Sequence, residues 1–173
     1  MIVWLIGLSG AGKTTIGRAL YSQWKADDPA TVLVDGDEMR DVFQTTGDQS
    51  FTTEGRRENA ERIIEVCAWL DRQDINVVCC ILCIFPDLLA ANRLRFSKYF
   101  EVFVDAPLDQ LIARDGKGLY GAAKRGETPN VVGMDIEFSK PANPDLILDN
   151  SGAALDAGAA AATIRNRLTI ADG

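Results

Sequence analysis

The stretch Ile2-Val-Trp-Leu-Ile6-Gly7-Leu-Ser9-Gly10-Ala11-Gly12-Lys13-Thr14-Thr15 decides the fold. Five apolar residues run into a full match to G-x-x-x-x-G-K-[ST], and a helical apolar pattern follows over Thr14 to Lys25. The glycines let backbone N–H groups turn inward around phosphate oxygens, and a helix opening near Lys13 presents its positive dipole end to the same anion. Gly7, Ser9, Gly10, Ala11, Gly12, Lys13, Thr14 and Thr15 are therefore the expected phosphate-binding set. Lys13 should reach the β and γ phosphates, and the Thr14 hydroxyl should ligate Mg²⁺. The alternative is a chance glycine turn, and the strand before it and helix after it argue for the nucleotide loop.

Four further apolar runs follow: Thr31 to Val34, Asn76 to Phe85, Phe100 to Val104 and Leu146 to Leu148. They are continuously apolar, as in strands covered on both faces, and helix-like stretches separate them. The longest, Glu54 to Arg72, repeats Ala60, Ile63, Ile64, Cys67 and Leu70 at three- and four-residue steps. The pattern predicts an α/β fold of the P-loop NTPase type, a parallel five-stranded sheet flanked by helices. One domain over residues 1–173 is expected, since no linker or internal repeat divides the chain. The segment from 115 to 144 is glycine-rich, polar and without clear period, so it is expected to be a mobile lid or binding loop. The Ala-rich tail, Ala153 to Leu168, is expected to be a surface helix weakened by Gly158.

Composition removes whole classes of chemistry. The chain has no histidine, which excludes Ser-His triads, His-metal sites and histidine pH switches. Its net charge of −7 argues against a nucleic-acid surface, where clustered cations are needed. No apolar run approaches the roughly 20 residues of a membrane span, and the first residues lack the basic leader of a signal peptide. Cys67, Cys79, Cys80 and Cys83 read as buried inert thiols, and Cys80 and Cys83, three apart on a strand, face opposite ways. A cytoplasmic location follows as an expectation.

Three apolar runs end in aspartate, at Asp35, Asp105 and Asp149, where strand ends line the ligand crevice of open α/β sheets. Only the first continues to a second acid, Asp35-Gly36-Asp37, a pair able to divide metal and hydroxyl duties. Water-facing strand ends are the alternative for Asp105 and Asp149. Arg40, Arg56, Asn59 and Arg62 place guanidinium groups nearby, suited to an anionic substrate. A solvated helix face with pairs such as Glu58 and Arg62 is the alternative reading. No Asn is followed by Lys, so the base-recognition sequence of a GTPase is missing.

With these residues in view, the chain resembles the adenylylsulfate kinase family, which transfers the γ-phosphate of ATP to the 3′-hydroxyl of adenosine 5′-phosphosulfate. The resemblance runs from Trp4 to Asp149. It rests on the Gly7 to Thr15 loop, Asp35-Gly-Asp37 with Arg40, Arg56-Arg-Glu-Asn59 with Arg62, Arg114-Asp-Gly-Lys117-Gly118-Leu119-Tyr120, Gly133-Met-Asp135 and Asn143-Pro-Asp145. It implies that Asp37 lies nearest the acceptor hydroxyl and Asp35 near Mg²⁺. It implies further that Arg40, Arg56 and Asn59 hold the acceptor nucleotide with Phe51 as a stacking ring. Lys117, with Gly118 and Leu119 beside it, would close from the lid onto phosphates, and Arg114 would lie against the ATP adenine. A homodimer and small-molecule nucleotide substrates are likewise implied.

Three departures fall in or near the implied acceptor pocket. Ile84-Phe85-Pro86-Asp87-Leu88 stands where the family usually reads Ile-Ser-Pro-aromatic-Arg, Val131 stands where a Phe sandwiches the acceptor base, and Phe138-Ser139 replaces Tyr-Glu. Phe85, Val131 and Phe138 are thus the expected lining on that side. The chain also resembles family members of capsular polysaccharide pathways that phosphorylate another nucleotide, such as cytidine diphosphoramidate. Adenylylsulfate remains the default acceptor, and a nucleotide-sensing module without turnover is the rival from another class.

Overall fold

The computed structural model describes residues 1–45, 47–116, 118–152 and 155–171. In chain order these form β1 (Ile2–Ile6), α1 (Lys13–Asp27), β2 (Thr31–Asp35), α2 (Gly36–Val42), a 3₁₀ turn (Asp48–Phe51), α3 (Thr53–Asp71), β3 (Asn76–Ile81) and α4 (Pro86–Arg95). Then come β4 (Tyr99–Asp105), α5 (Leu108–Arg114), α6 (Leu119–Lys124), β5 (Leu146–Asp149) and α7 (Ala157–Ala171). The five strands make one parallel sheet in the order β2-β3-β1-β4-β5, as the apolar runs predict.

β1 lies in the middle, hydrogen-bonded to β3 on one side and β4 on the other, with Ile2 opposite both Val77 and Tyr99. All five of its residues have no exposed surface, which is why the run is apolar without alternation. One face carries Val3 and Leu5 against Ile16, Leu20 and Trp24 of α1 and Ala161, Ile164 and Leu168 of α7. The other carries Ile2, Trp4 and Ile6 against Ile63 and Cys67 of α3 and Leu89 of α4. Each buried Leu or Ile contributes about 1.5–3 kcal/mol, so this double layer anchors the sheet. Because the neighbours of β1 lie on opposite sides, the crossovers reverse there, and a ligand crevice opens beyond its carboxyl end.

Local chemistry sets the element ends. Gly12, at φ 102°, makes the left-handed turn that starts α1, a conformation L side chains avoid. One turn on, a Cβ at Gly17 would lie 2.1 Å from Cys80 Sγ, so glycine alone lets α1 lie this close to β3. Thr52 caps α3 by accepting from Gly55 N at 3.1 Å, and Pro86 opens α4.

Three expectations are corrected. The run Asn76 to Phe85 is strand only as far as Ile81, and residues 82–85 leave the sheet before Pro86 opens α4. Cys83 therefore lies past the strand and the opposite-face argument does not apply to it. All four thiols are nevertheless free and buried, and burial pushes Cys80 up to about 12 and Cys83 to about 11. The tail helix starts at Ala157, with residues 153 and 154 outside the described set, and it packs on α1 through Ala160, Ala161, Ile164 and Leu168. It is a surface helix, as expected, with one buried face, and the carbonyl of exposed Gly158 in its first turn also accepts from Gln23 Nε2 at 3.1 Å. Within 115–144, α6 is packed: Tyr120 is 2% exposed, and Val131 and Val132 are buried. Among the described residues no helix is long and apolar enough to cross a membrane.

Candidate active site

The phosphate loop sits at the carboxyl end of β1 and is braced from outside. Tyr120 of α6 donates its hydroxyl to Ser9 O at 2.9 Å, and buried Asn150, just after β5, donates from Nδ2 to Ala11 O at 2.9 Å. In a trans peptide the C=O and the following N–H point oppositely, so these two contacts direct the N–H groups of Gly10 and Gly12 away from Tyr120 and Asn150. Lys13 Nζ donates to Leu8 O at 2.8 Å. Asn150 gave no sequence signal beyond its place one residue after a strand-ending aspartate.

Asp35 connects the loop to the acidic pair. It is 5% exposed, accepts from Thr14 Oγ1 at 2.7 Å through one oxygen, and accepts from Asp37 N at 2.9 Å through the other, capping α2. A hydroxyl and a carboxylate at this spacing are hard oxygen donors of the kind Mg²⁺ takes when few ligands come from protein. Among the described residues no cluster of three acidic or cysteine side chains competes with them.

A cavity of about 1130 Å³ runs from this end across the carboxyl edge of the sheet. Its volume is close to the upper end of the roughly 300–1,000 Å³ usual for small-molecule sites. Its wall includes Ser9, Gly10, Gly12, Lys13, Thr14, Thr15, Asp35, Asp37, Arg40, Phe51, Arg56, Asn59, Gly118, Leu119 and Val131. Most of the residues expected from sequence are thus brought to one chamber.

The far end of the chamber is cationic. The Arg40 and Arg56 guanidinium carbons stand 4.9 and 5.6 Å from the Phe51 ring centre, attracted to its π face. Burial is the main cause that lowers Arg40, against the Asp37 charge. Burial and then the Arg40 charge push Arg56 down to about 10, with Asp37 and Asp135 opposing. Both remain cations at neutral pH. Arg40 Nε and Nη1 and Asn59 Oδ1 are buried with no hydrogen-bond partner among the described residues. Such groups cost about 1–3 kcal/mol each unless a ligand supplies the missing partners.

Several expected residues stand elsewhere. Phe85, 6% exposed, packs into the α3/α4 core under Arg57, whose guanidinium carbon is 4.3 Å from its ring centre and whose two nitrogens bind Asp87 at 2.9 and 3.1 Å. Phe138 packs on Phe103 and lines a second cavity of about 850 Å³. Neither lines the larger chamber, because the chain leaves β3 at Ile81 and Phe138 packs on Phe103 of β4. Arg114 donates to Gly152 O at 2.5 Å and to Gln110, outside the chamber wall. Arg62 is an exposed partner of Glu58, as the solvated-face alternative has it. Asp105 pairs with Lys140 at 2.7 Å and Asp149 caps Ser151, both on the second cavity. Lys117 lies outside the described residues.

The family model for adenylylsulphate kinase matches residues 1–149. The chain belongs to the adenylylsulphate kinase family. It is 38% identical over 150 residues to a cytidine diphosphoramidate kinase of Campylobacter jejuni, covering 87% of this chain and 86% of that one. It is 37% identical over 151 residues to an adenylyl-sulfate kinase of Paraburkholderia xenovorans, covering 86% and 82%. The Mycobacterium tuberculosis APS kinase solved with AMPPNP and APS superposes with a TM-score of 0.84 at 28% identity, over 97% of this chain and 96% of that one. This adenylylsulphate kinase relative is therefore a phosphotransferase, and its family contains more than one acceptor.

Proposed function

We propose that the chain transfers the γ-phosphoryl group of ATP to the 3′-hydroxyl of a nucleotide, with adenosine 5′-phosphosulfate as the default acceptor and 3′-phosphoadenosine 5′-phosphosulfate as product. The observation that carries this reading is the single chamber joining Lys13 and Thr14 at one end to the unpartnered groups of Arg40 and Asn59 at the other.

Lys13 would exchange its contact to Leu8 O for β- and γ-phosphate oxygens, while the Gly10 and Gly12 N–H groups cradle the same anion. Thr14 and Asp35 would hold Mg²⁺, which when bound neutralises phosphate charge. Asp37, two residues past the Asp35 cap, would take the proton of the attacking hydroxyl. The acceptor oxygen bonds to the γ-phosphorus as the bond from that phosphorus to the β–γ bridging oxygen breaks. ADP leaves, and the proton resides on Asp37. Arg40, Arg56 and Asn59 would orient the acceptor and Phe51 would stack on its base, while Arg114, from outside the chamber wall, would meet the ATP base and Lys117 would close on the phosphates. Positioning and charge neutralisation are sufficient for this reaction, and no histidine is needed.

One observation favours a second acceptor of the cytidine diphosphoramidate type. Phe51 is the only aromatic ring among the described residues lining the chamber, and Val131 is 3% exposed, so one wall lacks the ring that would sandwich a purine. Incubation with Mg-ATP and a panel including both acceptors, followed by detection of ADP and a 3′-phosphorylated product, separates the readings. Absence of nucleotide-stimulated ADP release across the panel overturns both.

A further inference from the structure

The lid segment meets the acceptor end of the chamber through one short turn. Asn130 has φ 63°, and the N–H groups of Asn130 and Val131 both donate to the Asp135 carboxylate, at 2.6 and 2.5 Å. The Asn130 carbonyl in turn accepts from Arg56 Nη2 at 2.9 Å, while Arg56 Nε donates to Phe51 O at 2.8 Å. Arg56, Phe51, Asn130 and Val131 line the chamber, whereas Asp135 lies behind them on the second cavity.

We propose that Asp135 is a positioning residue for the acceptor: by gripping two consecutive backbone N–H groups from behind the wall, it fixes the carbonyl to which Arg56 is latched. Asn is among the few non-glycine residues that enter the left-handed region readily, and support from outside the turn holds it there. Two charge-assisted hydrogen bonds supply it, since a carboxylate offers an oxygen to each N–H. The turn is closed further by Gly133 N donating to Ile136 O at 2.7 Å. Without the carboxylate, the Asn130 carbonyl is free to swing, and Arg56 loses the contact that ties it to the lid. Asp135 also stands near enough to Arg56 to favour its charge.

The assignment rests on the kinase reading, so the test has one arm that needs turnover and one that does not. In the first, Asp135→Ala raises the acceptor KM about tenfold or more and leaves the ATP KM within about twofold. Asp135→Asn keeps one accepting oxygen and falls between, which covers the case of an alanine variant that does not fold. Equal rises in both KM values, or an unchanged acceptor KM, overturn the proposal. The second arm uses the substrate-free protein and the ¹H–¹⁵N signals of the Asn130 and Val131 amides and the Arg56 Nε–H. Both amides should exchange faster in the variants and the Arg56 signal should shift or broaden. An unmoved Arg56 signal overturns the proposal even if the wild type phosphorylates no nucleotide, an outcome that removes the kinase reading separately.

Discussion

The two ends of the chamber are built on opposite terms. At the phosphate end Lys13 has Leu8 O, Thr14 has Asp35, and the carbonyls of Ser9 and Ala11 are held by Tyr120 and Asn150. At the acceptor end Arg40 Nε, Arg40 Nη1 and Asn59 Oδ1 are buried without partners among the described residues. A cradle whose carbonyls and side chains are held within the chain is preorganised, and its N–H groups are left to the arriving anion. A pocket that keeps unmet hydrogen-bonding groups gains most from a ligand that meets them all, which is how a site rejects near matches. The phosphate end thus supplies a general reaction and the acceptor end the choice of substrate.

The harshest break in this contrast is Lys13→Ala. Loss of the cation facing the β and γ phosphates should lower kcat/KM for ATP about ten-thousandfold, read by steady-state ADP release. A fall confined to the acceptor KM would place Lys13 at the wrong end. Next is Asp37→Ala, which should lower kcat about a thousandfold while ATP affinity by calorimetry stays near wild type, as for a group needed in proton transfer. Comparable kcat in variant and wild type removes Asp37 from that role.

The phosphate end was the more legible in sequence because its chemistry is contiguous. Strand, glycine turn, lysine and threonine fall within residues 2–14, and parallel pairing buries β1 so fully that its apolar run admits one reading. The acceptor end is assembled from α2, the 3₁₀ turn, α3 and the segment around Asn130, so it depends on where chain segments leave the sheet. Sequence placed Phe85 and Phe138 there, yet the break at Ile81 and the packing of Phe138 on Phe103 put both rings elsewhere. Asn150, Tyr120 and Asp135 act through backbone groups of distant residues, and no local pattern announces such contacts. The helical tail was visible as a helix, but its buried face depends on docking against α1.

Asn59→Leu sharpens the contrast further. Replacing a buried amide with an unmet oxygen by an apolar side chain of similar size should stabilise the free protein by about 1 kcal/mol. The same change should raise the acceptor KM about tenfold and leave the ATP KM unchanged. Calorimetric melting and acceptor titration read the two effects. A destabilised variant would mean that Asn59 has an internal partner and that the acceptor end is not built on unmet groups.

The smallest effect tests whether the phosphate end is braced by its neighbours. Tyr120 is 2% exposed, so Tyr120→Phe retains the packing of the ring and removes only the hydroxyl that meets Ser9 O. The lost bond is worth about 1 kcal/mol, equivalent to a fall of a few degrees in Tm for a chain of this size. Ser9 lines the chamber, so its peptide becomes free to rotate and the ATP KM should rise about threefold while the acceptor KM holds. This is the mirror of the Asn59→Leu pattern. If the acceptor KM moves instead, α6 braces the acceptor and the division of labour between the two ends fails at the lid.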